Sequence, residues 1–425
     1  MTSQGTSRET DRSETANPSS QYIELDISAL RVGMQLTQDL YDQDGVLLIA
    51  GGSCVTSRLM NNLRERGSII KVRARPVAGD SPAAGNALLE TEHTRNIDTL
   101  LEAQLGETGR KHIIISSLER NRPRLPTGEL FDYASGGLQA HGNATHDFAD
   151  ICKTLQGGGK INRDGIASIM KNFMNMIAMD ADLLPLVVSM QQTPDEYLFN
   201  HCVNVAMISM TIADQLGMMP AEVMEIGIGG LLADVGMLQV PEHIRLADRP
   251  LTADERIEIL RHPAYTLDYL EHIKGLPLPV KFIGYQAHER MDASGYPRKR
   301  SGMLIHRYAK IVSVADSYAA MTGHRPHRPS LQPYQAAKQI LIENSRSKFD
   351  RDIVRAFLDC MSLFPVGSHV ELSDGRRARV LRANPGQHTK PVVLELDAEG
   401  NPRGIQIDLA EESDITVVST AVEIP

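Results

Sequence analysis

The stretch "GGLLADVGMLQVPEHI", Gly229 to Ile244, decides how the rest of the chain is read. An apolar helical run ends in one acid, Asp234, and a glycine-containing turn follows that Pro241 closes. A carboxylate carried into apolar surroundings is costly to bury alone and calls for a partner. A histidine is the usual one, yet the residue before it is Ala233. Asp234 therefore has two readings from the residues. It is a metal ligand without its neighbour, or a helix-end acid that accepts backbone hydrogen bonds.

Outward from this stretch, helical spacing dominates residues 160–362. "TPDEYLFNHCVNVAMISMTIADQLG" predicts a helix with Thr193 as N-cap, Pro194 in the first turn and Glu196 completing a capping box. Tyr197, His201, Val205, Ile208 and Ile212 share one face, so His201 points inward. "LTADERIEILRHPAYTLDYLEHI" predicts a second such helix, with Thr252 and Glu255 as its capping box. Further helices are expected over 278–288, 307–321, 333–343 and 352–361.

The flanks read differently. Residues 1–21 are polar and lack an apolar core, which predicts a disordered tail rather than a signal peptide. Residues 22–75 alternate around an Asp-Gly turn and predict a small β-rich α+β module. Residues 76–159 read as a linker and partly helical connection, and 363–425 as an antiparallel β module. The expected fold is multidomain and mainly α: a helical domain flanked by a small N-terminal β-rich module and a small C-terminal antiparallel β module.

Composition narrows the function classes. A chain of 425 residues with net charge −9 argues against coating a nucleic acid. Cys54, Cys152, Cys202 and Cys360 lie far apart with no CxxC pair, so neither a disulfide frame nor a zinc site is expected. No apolar run approaches the ~20 residues of a membrane span. A cytoplasmic protein follows, with no organic cofactor indicated and no oligomeric state implied.

Along the helical region, His201, Asp234, His262, His288 and Asp316 form an ordered set of inward imidazoles and carboxylates. Donors drawn from several helices are how helical proteins build two-metal sites that act on phosphodiesters. Each residue alone has a plainer reading: a satisfied core histidine, or a capping acid.

Five segments, in order, resemble the HD-GYP family, helical metal-dependent phosphohydrolases that typically hydrolyse the bacterial second messenger cyclic di-GMP. They are "DEYLFNHCVNVA", "GGLLADVGMLQVPEHI", "LRHPAYTLDYL", "QAHERMDASGYPRKRSG" and "AKIVSVADSYAAMTGHRPHRP". The resemblance covers about residues 195–329 and implies an all-α HD domain. It implies metal ligation by His201, Asp234, His262, His288 and Asp316, with Asp234 bridging two ions, iron or manganese. It further implies ligand contacts from Arg290, Asp292, Ser294, Gly295, Tyr296, Pro297, Arg325 and Arg328. Read from the residues, Arg290 and Asp292 pair, either to hold that loop or as an ordinary exposed salt bridge. Cyclic di-GMP and a protein partner, docking through the Gly-Tyr-Pro loop or the flanking β modules, are the partners implied.

The chain also departs from the family pattern. Ala233 and Ala287 stand where the family has metal-ligand histidines, and Met237 where it has a lysine. Ala293 replaces a signature glycine, and Thr266 a common one. Losing an imidazole from a metal site weakens metal binding, since even outer partners are worth ~10–100-fold. The leading reading is a catalytically impaired relative that regulates by binding a nucleotide or a protein. The alternatives are a working phosphodiesterase with a reduced ligand set, and an interaction module with no nucleotide ligand.

Overall fold

The computed structural model describes residues 125–190, 197–323, 330–384, 386–412 and 414–420, and the backbone of four short strands nearer the N-terminus. Those strands, β1 (Tyr22–Asp26), β2 (Leu40–Tyr41), β3 (Leu47–Ile49) and β4 (Ile69–Arg73), pair antiparallel in the order β1-β4-β2-β3. The polar tail, Cys54 and the Thr193–Glu196 capping box lie outside the described residues.

The helical domain begins earlier than the sequence suggests. Helix α1 (Thr127–Gln156) falls within the expected linker, yet Leu130, Ala134, Ala144, Phe148, Cys152 and Leu155 bury one face of it in the main core. Their spacing follows three- and four-residue steps, so the stripe is a helix face that can be covered only by other helices. His141 sits in the same stripe. Burial pushes its pKa down to about 4, against the hydrogen bond it makes to Asn204 Oδ1 at 3.0 Å.

After strand β5 (Ile161–Asn162) come α2 (Arg163–Met179), α3 (Leu183–Ser189), α4 (Tyr197–Gln215) and α5 (Pro220–Leu232). A 3₁₀ turn over Val235–Leu238 follows, then α6 (Glu242–Arg245), α7 (Ala253–Leu260) and α8 (His262–Leu270). Strand β6 (Ile273–Lys274) pairs in parallel with β5. The domain closes with α9 (Leu278–Gln286), α10 (Arg307–Thr322), α11 (Pro333–Ser345) and α12 (Arg351–Met361). Helix α4 is the hub: it is apolar nearly all round and packs on α1, α3, α5, α10 and α12. A helix with no polar face has to be buried on every side.

The second long helix expected from the sequence is two. Thr252 and Glu255 do form the expected capping box, with Glu255 Oε2 accepting from Thr252 N at 2.8 Å. The helix then breaks at Arg261, because Pro263 lacks an N–H for the ladder. The break puts His262 in the first turn of α8 rather than mid-helix.

Strands β7 (His369–Leu372), β8 (Arg377–Arg382), β9 (Val392–Leu396), β10 (Pro402–Asp408) and β11 (Val417–Thr420) build the expected C-terminal antiparallel sheet, ordered β10-β9-β8-β7-β11. It has its own small core of Phe364, Val370, Leu372, Val380 and Val393. One buried arginine fastens this sheet to the helices. Arg382 donates to Asp180 Oδ2 at 3.0 Å, to Asp182 Oδ2 at 2.6 Å and to the Leu125 carbonyl at 2.6 Å. Asp180 accepts in turn from Leu125 N at 2.8 Å.

Breaking one side of such a buried pair leaves the other charge uncompensated. Arg382→Met is expected to cost about 3–5 kcal/mol in urea unfolding. Adding Asp180→Asn should recover part of that loss, whereas a purely steric role for Arg382 would give no recovery.

Candidate metal centre

Each of the five ordered residues arrives from a different element. His201 comes from the middle of α4 and Asp234 from the residue just beyond the α5 C-cap that starts the 3₁₀ turn. His262 opens α8, His288 follows the end of α9, and Asp316 lies mid-way along α10. All five are buried or nearly so.

The backbone around Asp234 is set by close approach. A Cβ at Gly236 would lie 2.1 Å from the His262 carbonyl oxygen and 2.4 Å from Thr266 N, so only glycine fits. Gly236 N donates to Thr266 Oγ1 at 3.0 Å, and that hydroxyl donates to the Ala233 carbonyl at 3.0 Å. Thr266 thus stitches the Asp234 turn onto α8, a role that its replacement of a common glycine does not reveal in sequence.

Asp234 makes no side-chain capping bond, which sets aside the helix-end reading. Its Oδ2 lies 3.3 Å from His201 Nε2, and its Oδ1 lies 3.0 Å from His288 Nε2 and 3.4 Å from His262 Nε2. Asp316 faces it across the site, 3.2 Å from His201 Nε2 and 3.4 Å from His288 Nδ1. Two groups of donor atoms result, Asp234–His262–His288 and His201–Asp234–Asp316, each within 4.8 Å of one another. Asp234 belongs to both.

Donor chemistry suits a cation. His262 Nδ1–H donates to the Ile259 carbonyl at 2.7 Å, which leaves its Nε2 lone pair turned inward. That lone pair lies 2.8 Å from His288 Nε2. Two imidazole nitrogens so close need a proton or a metal between them. Burial opposes charge on His288, but hydrogen bonds to Asp234 and Asp316 outweigh it and raise its pKa to about 9. Burial likewise opposes charge on His201, and the same two carboxylates raise its pKa. For Asp234, burial favours the neutral acid, yet bonds from His201, His262 and His288 hold its pKa well below the usual range. Asp316 is held low in the same way by His201 and His288.

Three of the residues that depart from the family pattern, Ala233, Ala287 and Met237, are apolar fillers here. Ala233 and Ala287 are buried within the main hydrophobic core, and Met237 packs against it. His306 caps α10 through Tyr308 N and lies against Phe282, while His243 is exposed.

The signature loop is built on His288. Gly295 is tight, since a Cβ there would lie 2.4 Å from the His288 carbonyl oxygen and 2.5 Å from Arg290 N. The Tyr296 ring therefore stacks on His288, 4.9 Å between centroids and 3° from parallel, and meets His262 edge-on at 5.9 Å. Ala293 adopts φ 63, a left-handed conformation that costs ~1–2 kcal/mol in a residue with a Cβ.

One expectation fails: Arg290 does not pair with Asp292. Arg290 turns inward, donating to Ser313 Oγ at 2.6 Å and Ser317 Oγ at 3.1 Å, and lies over Phe349. Asp292 Oδ1 instead accepts from Ser294 N at 3.0 Å and Ser294 Oγ at 2.6 Å. A two-residue turn satisfies the carboxylate locally, and the two α10 hydroxyls satisfy the guanidinium. Glu289, not singled out from sequence, is 2% exposed and accepts from Arg298 N at 2.7 Å and Arg300 N at 2.9 Å, anchoring the loop. Arg325 and Arg328 lie outside the described residues. Ser294 is exposed, Tyr296 half-buried and Pro297 buried.

The family model that matches this chain agrees with its helical architecture. Residues 173–353 match the family model described as an HD domain. A cyclic di-GMP phosphodiesterase of Pseudomonas aeruginosa is 32% identical over 190 residues, 45% of this chain and 45% of that one. A 3′3′-cGAMP-specific phosphodiesterase of Vibrio cholerae is 28% identical over 168 residues, 40% of this chain and 39% of that one. The matches span less than half the length of these curated relatives. A solved structure described as an HDG"Y"P protein from Bdellovibrio bacteriovorus aligns with a TM-score of 0.44 at 16% identity, covering 80% of this chain and 99% of that one. No helix among the described residues is long and apolar enough to cross a membrane.

The proton on His288 and a divalent cation compete for the same lone pairs, which gives a pH dependence. Because the raised pKa is about 9, metal binding must displace a proton throughout the neutral range. Affinity for Mn²⁺ is expected to rise from pH 7 to pH 9 by up to ~10-fold per unit, with proton release seen in calorimetry. In metal-free protein the same proton stabilises the fold fully below pH ~6.5, and that contribution is lost as pH rises through 9. A metal affinity flat across this range would remove His288 from the site.

Proposed function

We propose that this chain is a member of the HD-GYP family that holds divalent metal on His201, Asp234, His262, His288 and Asp316, binds a cyclic dinucleotide of the cyclic di-GMP class there, and hydrolyses it slowly. The HD-domain match and the phosphodiesterase relatives support this reading. The observation that carries this reading is the sharing of Asp234 between two three-residue donor groups. The named substrates of the relatives, cyclic di-GMP and cGAMP, supply the ligand class.

Bound divalent ions supply Lewis acidity toward a phosphodiester and an activated water. The rest falls to the chain. Asp234 places one oxygen toward each group, so its charge serves both. Ile259 fixes the tautomer of His262, and Tyr296 fixes the plane of His288. Arg290 ties the loop after His288 to α10, while Ser294 remains at the surface to meet ligand. Arg325 and Arg328 are the proposed phosphate contacts, in keeping with the fork geometry of arginine.

Slow turnover follows from what is missing. Ala233 and Ala287 add nothing to either group, and each lost imidazole weakens metal holding by at least ~10–100-fold. Met237 brings no positive charge to neutralise a phosphate. The regulatory role then rests on occupancy: a slowly consumed ligand keeps the domain bound, and the flanking β modules are the proposed readers of that state. A faster phosphodiesterase with a reduced ligand set is the second reading. It is favoured by the three donors left in each group, enough for a catalytic metal with open positions.

Turnover separates the two. Hydrolysis of cyclic di-GMP to linear dinucleotide, with Mn²⁺ or Fe²⁺ in excess, should be slow in the natural chain. Ala233→His with Ala287→His should raise it by ~10-fold or more. Met237→Lys, at a half-buried position that tolerates a long side chain, should raise it independently. A natural chain that matches the variants would establish the faster enzyme.

A further inference from the structure

Outside the proposed metal centre, one cavity is lined by three cationic side chains. It lies between α6, the loop that follows it and α7, with a volume of about 320 Å³. Arg245, Arg249 and Arg256 line it, together with apolar walls that include Ile244, Leu251 and Ile259.

The three arginines are not equivalent. Arg249 is committed, forming a bidentate pair with Glu255 at 2.7 and 2.9 Å. Arg245 and Arg256 have no side-chain hydrogen bond or ion pair among the described residues. The Nε of Arg245 is buried without a hydrogen-bond partner. A buried guanidinium N–H left unmet is costly, and native proteins seldom keep one without a reason. Three arginines and one acid, Asp248, line the cavity, in a chain whose net charge is −9.

We infer that this cavity is a binding site for an organic phosphate monoester the size of a nucleoside monophosphate. Arg245 and Arg256 grip the phosphate, and the aliphatic walls cover the organic body. Planar guanidinium groups match phosphate oxygens. The volume lies at the low end for ligand pockets, which run from ~300 to ~1,000 Å³, and so suits a mononucleotide rather than a cyclic dinucleotide. A bare phosphate would leave the apolar walls unused. The site also borders the metal centre, since Ile259 lines the cavity and its carbonyl holds His262 Nδ1. The inference does not depend on the proposed function, because none of the cavity residues is a proposed metal ligand.

The test is calorimetric titration of the full chain in excess EDTA, which keeps phosphate off any metal. Guanosine 5′-monophosphate, inorganic phosphate and cyclic di-GMP are compared. The expected result is one saturable site for the monophosphate, with inorganic phosphate and cyclic di-GMP at least ~10-fold weaker. Arg245→Gln with Arg256→Gln should weaken the monophosphate by ~100-fold while the thermal midpoint and Mn²⁺ stoichiometry stay unchanged. Arg249→Gln, which breaks the Glu255 pair and the bond to the Pro250 carbonyl, should leave affinity within ~3-fold. Absence of saturable binding at millimolar ligand, equal affinity for inorganic phosphate, or binding unchanged in the double variant would overturn the assignment.

Discussion

A single carboxylate, Asp234, sets the terms for the helical domain. It is held charged inside the helical bundle, and each of its oxygens is answered by imidazole. An unanswered charge in that place would be prohibitive, so three helices must bring histidines to within a few ångströms of one residue. The glycine at 236, the hydroxyl of Thr266 and the break before His262 are the local devices that allow this approach. The hub position of α4 supplies the third imidazole, and α10 supplies the second acid, Asp316.

The departures from the family pattern leave this arrangement standing. Ala233 and Ala287 face the apolar core rather than leaving bare polar groups behind. The parts that hold the converging histidines in place are separate residues: Ile259 for His262, Tyr296 for His288, Arg290 and Glu289 for the signature loop. Chemistry can thus be impaired while geometry persists. In the proposed reading, the two missing donors bear on metal affinity and turnover, while the fold is held by other residues.

Much of this was legible in the sequence. The spacing of His201 with Tyr197 and Val205 places it inward, and the order of five segments brings together residues up to 115 positions apart. Helix periodicity located α9 to α12 within a residue or two at each end. What stayed hidden depended on contacts between distant segments. The stripe from Leu130 to Leu155 reads as a connection until α3 and α4 are present to cover it. Arg290 and Asp292, two apart in a charged loop, suggested a pair. Satisfaction by the α10 hydroxyls and by a local turn won instead. Neither Arg382 reaching Asp180 nor the buried clamp of Glu289 leaves a periodic trace, because each depends on where a loop folds back.

The most direct measurement is anomalous X-ray scattering from crystals of the full chain grown with Mn²⁺, compared with the Asp234→Asn variant. Two peaks on either side of Asp234, one against His262 and His288 and one against His201 and Asp316, are the expected result, with both lost in the variant. A protein that binds no metal at these residues, or whose metal stays in place without the Asp234 charge, would contradict the account.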